Sequence, residues 1–273
     1  MTKRSGRKVK GVVRKNKICI PYKIIIDKAS SRYRISIPNN TMFFIKERKG
    51  PIMGWPRVLR LVRHAQSVGN MMQVDERASY HVSSHAYPLT ERGRNQAAIT
   101  GEWLRENCAP FDAYYVSYYA RAKETMTIMF PHEKVYEDPR LAEAQRGIYH
   151  VMTRKEMEVR YPEELVRKER EGLYHYRPPG GENWPDIELR INSFLSTLSR
   201  DYEDQDVVMV VHGHWLILFQ KAIERFTIEE ALRRYHEGVV ENASVTTYEA
   251  RNIGKKSRLV LSGAAVVPWE GKL

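Results

Sequence analysis

The chain has 273 residues, a hydrophobic fraction of 42% and a formal net charge of +12, which is enough to bury the core of one large domain with room for a second small one. No apolar run approaches the roughly 18 residues that a membrane-spanning helix requires, and the first residues lack the apolar region of a signal peptide. The two cysteines, Cys19 and Cys108, have no metal-binding or redox spacing, so we expect reduced thiols in a cytoplasmic protein.

The positive charge is confined to residues 1–52, which hold 15 Lys and Arg residues but only Asp27 and Glu47 as acids. We expect this basic N-terminal extension to be disordered or to form a small β-ribbon from the strand-like segments 18–26 and 32–37. Its function has two interpretations, an arm that contacts nucleic acid or an anionic surface and an incidental leader, of which we favour the second. The excess of positive charge ends just before Met53. A further alternative is therefore that the extension is not part of the native domain.

From residue 53 onward, strand patterns alternate with helix patterns, which predicts a three-layer α/β/α domain with a mostly parallel central sheet. A polar loop is expected at 71–88 and a rigid Pro- and Gly-rich loop at 177–184. The predicted strands are 58–62, 111–116, 135–136, 206–211, about 244–250 and about 257–261. The predicted helices are 90–107, 119–130, 153–171 with a break at Tyr161-Pro162, 184–202, a helix ending near Arg225, and 228–237.

Three of these strands end at residues that carry chemistry. The first ends at Arg63-His64, the second at Ser117 shortly before Arg121, and the fourth at His212-Gly213. If these strands are parallel, right-handed crossovers bring their carboxyl ends to one edge of the sheet. Two arginines and two histidines at one edge predict a site for an anion. Taken singly, Arg121 also fits a solvated helix face and His212 a capped core histidine.

Several segments resemble, in the same order, motifs of the histidine phosphatase (phosphoglycerate mutase-like) superfamily, and the matches run from about residue 57 to about residue 250. The loop 174–184 is similar to the Arg-Pro-Pro-Gly-Gly-Glu-Ser-Trp loop of its phosphatase-type branch. The other matching segments are the Arg-His segment 61–70, the Leu-Thr-x-x-Gly-x-x-Gln-Ala segment 89–97, the second-arginine segment 117–125, the acid loop 141–143 and the second-histidine segment 210–213.

The resemblance implies a hydrolase that cleaves small-molecule phosphomonoesters through a phosphohistidine on His64, with neither metal nor cofactor. Glu143 is implied as the general acid and base, and the phosphate pocket is implied to consist of Arg63, Arg121 and His212. Further contacts with the substrate are expected from Asn70, Ser67, Gly213 and His214. We expect the loops 71–88 and 145–182 to determine which phosphomonoester is bound.

Two departures from the family pattern keep alternatives open. Ala65 and Gln66 replace the usual Gly and the usual Glu or Thr, and a methyl group at 65 crowds the site if the backbone there needs a positive φ. The segment Ala-Gln-Arg-Gly-Ile-Tyr after Glu143 also differs, which bears on the leaving group. The alternatives are a phosphoglycerate mutase-type enzyme and a catalytically weak phosphate-binding or scaffold protein. The absence of an Arg- and Pro-rich insertion typical of mutases favours hydrolysis.

Overall fold

The computed structural model describes residues 54–273 apart from 109, 239 and 255, together with the backbone of four strands near the N-terminus. The chain divides into two compact units, Met1–Ile52 and Met53–Leu273. The first unit contains an antiparallel sheet in the order β1-β2-β3-β4, in which β2 and β3 overlap the predicted strand segments. The prediction of a basic arm falls partly on residues 1–7, 16 and 17, which lie outside the described residues. These strands are Lys8–Lys15 (β1), Ile18–Asp27 (β2), Arg32–Ser36 (β3) and Met42–Lys46 (β4).

The second unit is built around a six-stranded sheet in the order β10-β9-β5-β8-β6-β7. The pairs β5–β8, β8–β6 and β6–β7 are parallel, and β9 is antiparallel to both of its neighbours. The predicted mostly parallel sheet is therefore confirmed. Its strands are Val58–Arg63 (β5), Ala113–Val116 (β6), Val135–Glu137 (β7), Asp206–Val211 (β8), Val245–Ile253 (β9) and Lys256–Val266 (β10).

Helices cover both faces of this sheet. The strand β8 is buried along its whole length, because its alternate side chains enter different cores. Val208 and Val210 pack with α3 and α4, whereas Val207, Met209 and Val211 pack with α7 and α8. The helices are Val68–Met71 (α1), Val74–Ser79 (α2), Glu91–Asn107 (α3), Ala120–Met129 (α4), Arg154–Arg160 (α5), Pro162–His175 (α6), Trp184–Asp201 (α7), Gly213–Glu224 (α8) and Ile228–Glu237 (α9).

Most predicted elements are confirmed within a few residues, and the exceptions have local causes. The segment 71–88, expected as a loop, contains α2, because Gln73 and Glu76 form a capping box in which the Gln73 N–H donates to Glu76 at 2.6 Å. The final hairpin extends beyond the predicted strands, to Ile253 and Val266. Its outer residues are largely exposed and are held by backbone pairing, which leaves no hydrophobic signal in the sequence.

Within the described part of the chain, no helix combines the length and apolar character needed to span a bilayer.

Candidate active site

Three neighbouring parallel strands, β5, β8 and β6, open at the same edge of the sheet. His64 follows β5, His212 follows β8 and Ser117 follows β6. This is the edge at which α/β sheets bind their ligands. A cavity of about 420 Å³ lies here and is lined by eight of the nine predicted site residues, Arg63, His64, Ser67, Asn70, Arg121, Glu143, Gly213 and His214.

His64 lines the cavity but is almost completely buried, and both of its ring nitrogens have partners in the protein. Its Nδ1 lies 2.7 Å from the carbonyl oxygen of Ala65, and because a carbonyl can only accept, Nδ1 carries the proton and Nε2 keeps its lone pair. Burial lowers the pKa of His64 well below its ordinary value, and the charges of Arg121 and Arg63 lower it further. His64 is therefore a neutral imidazole at physiological pH, with an unprotonated Nε2.

Arg121 connects the two histidines. Its Nε donates to Nε2 of His64 at 3.1 Å, and its Nη2 lies 3.2 Å from Nδ1 of His212. Its Nη1 donates to the carbonyl of Ser84 at 2.9 Å. Arg121 lies in the first turn of α4, its side chain is buried, and each of its three guanidinium nitrogens has a hydrogen-bond partner.

His212, the ninth predicted residue, lies behind the cavity wall. Its side chain is completely buried, and its Nε2 lies 2.8 Å from the hydroxyl of Ser117. Burial lowers its pKa well below the ordinary value, with Arg121 as the next cause. The predicted pocket residues Arg121 and His212 are in contact, but His212 reaches the cavity through Arg121.

Arg63 supplies a second cation to the cavity. Its Nη1 donates to the carbonyl of Val240, while its Nε is buried and has no partner among the described residues. A buried guanidinium N–H without a protein acceptor is a costly group unless a ligand accepts from it.

Glu143 faces the cavity from the loop after Pro139–Leu141, a 3-10 turn. Its Oε1 accepts from the Ala144 N–H at 3.0 Å and its Oε2 from the His214 N–H, in the first turn of α8, at 3.4 Å. Burial alone raises the pKa of Glu143, but the electrostatic effect of the adjacent His214, the Ala144 N–H and Arg121 together outweigh it. The net pKa is below the ordinary value, so Glu143 is a carboxylate at physiological pH.

The predicted substrate contacts Ser67 and Asn70 are partly used within the protein. The N–H and hydroxyl of Ser67 both donate to Oδ1 of Asn70, at 2.9 Å. This leaves the amide nitrogen of Asn70, a pure donor, for other partners at the cavity. The Nε2 of His214 is buried at the cavity without a partner among the described residues.

The backbone after His64 is held by the residues of the Leu-Thr-x-x-Gly-x-x-Gln segment. Thr90 caps α3 and donates from its backbone to the carbonyl of Gln66 at 3.0 Å, and Gln96 accepts from the Gln66 N–H at 2.9 Å. A Cβ at Gly93 would lie only 2.0 Å from the carbonyl oxygen of Gln66. This segment therefore serves to fix the loop that carries the imidazole.

Ala65 does not crowd the site. It is absent from the residues with positive φ in the described chain, its N–H donates to Thr125 at 3.0 Å, and its methyl group is buried in the core between the sheet and α4. The Ala in place of the usual Gly is thus accommodated by ordinary backbone geometry.

Several residues that line the site were not among the predicted site residues. Tyr119 lines the cavity beneath Arg121, and Arg77 lines its outer wall. A second cavity of about 250 Å³ adjoins the first and is lined in part by Arg146 and Lys168. Arg77 lies in the loop 71–88, and Arg146 and Lys168 lie in the segment 145–182, both of which were expected to determine which phosphomonoester is bound.

Fold and site together define a class of protein, an α/β protein that gathers a neutral imidazole and guanidinium groups at the carboxyl edge of its sheet, where they are suited to hold a phosphoryl group. The family model of the histidine phosphatase superfamily (branch 1) matches residues 59–261. The chain belongs to this superfamily.

Relatives of known name include mutases and phosphatases. A 2,3-bisphosphoglycerate-dependent phosphoglycerate mutase 2 from Gloeobacter violaceus is 30% identical over 180 residues, which cover 63% of this chain and 78% of the relative. A phosphoglycerate mutase-like protein from Arabidopsis thaliana is 29% identical over 214 residues, covering 68% and 72%. Membership in the superfamily is therefore compatible with hydrolysis and with mutase chemistry.

Solved structures share the fold at lower identity. Bacillus stearothermophilus YhfR has a TM-score of 0.61 at 24% identity, covering 77% of this chain and 98% of that one. A mycobacterial glucosyl-3-phosphoglycerate phosphatase, in complex with inorganic phosphate, has a TM-score of 0.59 at 22% identity, covering 78% and 98%. These likenesses support the three-layer fold.

Proposed function

We propose that this protein is a phosphomonoesterase that transfers a phosphoryl group from a small-molecule ester first to His64 and then to water. The observation that carries the proposal is the buried, neutral His64, whose unprotonated Nε2 lies 3.1 Å from a guanidinium nitrogen of Arg121. A nucleophile for phosphorus needs a lone pair, and the transferred group needs cations around its oxygens. The cavity of about 420 Å³ is in the size range of small-molecule sites.

In the first half-reaction, the Nε–H of Arg121 transfers its hydrogen bond from Nε2 of His64 to a non-bridging phosphoryl oxygen. Nε2 then attacks phosphorus, a P–N bond forms and the P–O bond to the leaving group breaks. Arg63 and Arg121 neutralise the charge on the non-bridging oxygens as the group flattens. His212 acts by holding Arg121 in place, and it gains a direct contact if the ligand moves Arg121. Ser67, Asn70, Gly213 and His214 surround the rest of the substrate.

Glu143 transfers the proton that each half-reaction needs. Because its pKa is lowered, Glu143 is ionised before the substrate binds. The proton that it gives to the leaving oxygen is therefore brought by the monoanion of the phosphate ester. In the second half-reaction, the Glu143 carboxylate takes a proton from water as the water oxygen attacks phosphorus. The P–N bond breaks, inorganic phosphate leaves and His64 returns to its neutral form.

A mutase is the alternative enzyme, in which a second hydroxyl replaces water, and mutases among the named relatives favour considering it. Release of inorganic phosphate from a panel of phosphomonoesters, measured beside the interconversion of 2- and 3-phosphoglycerate, separates the two. A scaffold without turnover, the remaining alternative, would bind inorganic phosphate but release none from any ester.

The direct test is the His64→Ala variant. We expect kcat to fall by at least about 10³-fold, because the nucleophile is removed. Wild-type protein quenched during turnover of an ester labelled in its phosphorus should carry an acid-labile, base-stable label on His64. A His64→Ala variant that retains full hydrolysis contradicts the proposal.

A further inference from the structure

Tyr119 lies between two parts of the site that come from different segments of the chain. It precedes α4 and is only 2% exposed. On one side are Arg121 and His212, the phosphate-binding pair, and on the other is Gln145, two residues beyond Glu143. A tyrosine needed only to fill the core would not have to contact both the Arg121–His212 pair and Gln145.

The ring of Tyr119 supports the phosphate-binding pair. The guanidinium carbon of Arg121 lies 4.4 Å from the ring centroid, within the range of a cation–π contact. The ring of His212 meets it edge to face at a centroid distance of 4.9 Å. An aromatic ring that packs against both groups restricts the rotamers available to Arg121.

The hydroxyl of Tyr119 contacts the loop of Glu143. It accepts from the side-chain amide of Gln145 at 2.9 Å, and the hydroxyl of Tyr118 accepts from the same nitrogen at 3.0 Å. Burial raises the pKa of Tyr119, so its hydroxyl keeps its proton. The two tyrosines therefore bind one amide, but of the two it is Tyr119 whose ring packs against Arg121 and His212.

The same loop is held independently from its other side. The N–H of Gln145 donates to Glu182 at 3.1 Å, and Glu182 is paired with Arg190 at 2.9 Å. Arg190 also donates to the carbonyl of Ala142 at 2.6 Å. The backbone around Glu143 thus keeps its fold without Tyr119, so the hydroxyl of Tyr119 is free to set finer alignment.

We propose that Tyr119 is a positioning residue that aligns Glu143 with the leaving oxygen of a phosphoryl group held by Arg121, through the hydrogen bond to Gln145. The inference rests on the proposed function, because it assigns a role within the same transfer reaction. It adds a distinct claim, namely that one side chain couples the group that binds phosphate to the group that moves the proton.

The claim has a specific chemical consequence. Misplacing a general acid slows the cleavage of esters whose leaving group is basic and must be protonated, but has little effect on esters whose leaving group departs as a stabilised anion. Phenolate is a more basic leaving group than p-nitrophenolate. Cleavage of phenyl phosphate therefore depends more on the general acid than cleavage of p-nitrophenyl phosphate does. Loss of alignment should therefore change the ratio of their kcat/KM values.

The experiment compares Tyr119→Phe with the matched variant Tyr118→Phe. Each removes one hydroxyl from the same amide of Gln145, and Tyr119→Phe keeps the ring beneath Arg121. For Tyr119→Phe we expect kcat/KM to fall about tenfold for phenyl phosphate and less than about twofold for p-nitrophenyl phosphate. Competitive inhibition by inorganic phosphate should be unchanged. For Tyr118→Phe both kcat/KM values should stay within about twofold.

Gln145→Ala provides a second route to the same answer if a tyrosine variant fails to fold. It should reproduce the selective loss, and combining it with Tyr119→Phe should add nothing, because both variants remove the hydrogen bond between Tyr119 and Gln145. Equal losses on the two esters, equal effects of the two tyrosine variants, or weaker inhibition by phosphate in Tyr119→Phe would overturn the inference. Failure of the proposed function would instead show in the wild-type protein, as turnover independent of His64.

Discussion

At the scale of single residues, the protonation states of the site follow from burial and from the fixed positive charges. His64 loses solvent and gains two cationic neighbours, and both effects favour its neutral form. Glu143 is also buried, but its neighbours are cations and N–H donors, so the charged form is favoured despite burial. One cavity therefore keeps a base neutral and an acid ionised over the same range of pH.

These states predict an unusual pH profile. Because the pKa of His64 lies well below its ordinary value, lowering the pH from 7.5 to 5.5 does not remove the nucleophile. The same change increases the monoanion of the ester, whose second ionisation lies near pH 6. We expect kcat/KM for phenyl phosphate to be at least about fivefold higher at pH 5.5 than at pH 7.5. Initial rates across this range measure it.

Glu143→Gln is the control for this prediction, since a carboxamide can no longer relay the proton. The rise towards low pH should disappear in this variant, together with most of the activity. A decline of kcat/KM in the wild-type protein below pH 6.5 would show that His64 titrates near its ordinary pKa, contrary to the environment described.

At the scale of elements, the first turn of α3 is a support for the loop after His64. Thr90, Gly93 and Gln96 each lie against the backbone of Gln66. The glycine is needed for the close approach of the helix, because any larger residue meets a carbonyl oxygen that cannot move without displacing the imidazole.

Gly93→Ala should therefore cost both stability and activity. The added Cβ would lie 2.0 Å from the oxygen of Gln66, a contact between two backbones that no side-chain rotation relieves. We expect the free energy of unfolding to fall by about 3 kcal/mol and kcat by at least about tenfold. Thermal unfolding and initial rates measure the two effects.

Gly263→Ala is the matched control, because its added Cβ meets nothing closer than 3.7 Å and its φ is not in the left-handed region. It should change the free energy of unfolding by less than about 1 kcal/mol. Equal effects of the two substitutions would mean that the close approach of α3 is not what holds the loop.

The sequence predicted the position of site residues best where an apolar run, typical of a buried strand, ends at an arginine or a histidine. The apolar runs before Arg63 and His212 predict parallel strands, and parallel strands bring their ends together. Tyr119 was missed as a site residue, and Arg146 was predicted only as part of the segment 145–182, because the roles of both depend on how distant loops meet. The helix α2 was missed because polar composition obscured its capping residues, Gln73 and Glu76.

At the scale of the whole molecule, the outer part of the site carries uncompensated positive charge. Arg77, Arg146 and Lys168 line the two cavities, and none of them forms a salt bridge with a carboxylate of the described chain. Burial lowers the pKa of Arg77 and Lys168, and repulsion from Arg146 lowers both further. If the proposed function holds, we expect this charge arrangement to favour esters whose leaving group is itself negatively charged.

Arg146→Ala tests that charge effect. We expect KM for 4-carboxyphenyl phosphate to rise about fivefold, whereas KM for phenyl phosphate stays within about twofold. Arg170→Ala is a suitable control, since Arg170 is 73% exposed and pairs with Glu171. If Arg146→Ala raises KM equally for both esters, the guanidinium contributes to the cavity in some way other than charge.

The division of the chain at residue 52 gives a prediction about the extension. We propose that residues 53–273 form the catalytic domain, since the site residues and the family match at 59–261 fall within it. A chain that begins at Met53 should keep kcat/KM within about twofold and its melting temperature within about 3 °C. Retention of the full chain, but not the shortened one, on an anionic matrix would support the surface-binding interpretation of residues 1–52 over the incidental one.

The contact between Arg121 and the carbonyl of Ser84 has a consequence for how this protein can diversify. Ser84 contributes a main-chain oxygen, an atom that every amino acid possesses, so substitutions at that position leave the bond available. Side chains in the segment around Ser84 can therefore be substituted while the hydrogen bond that holds Arg121 is kept. Under the proposed function, we expect a change of ester preference to be possible through substitutions that leave His64 and Arg121 unchanged.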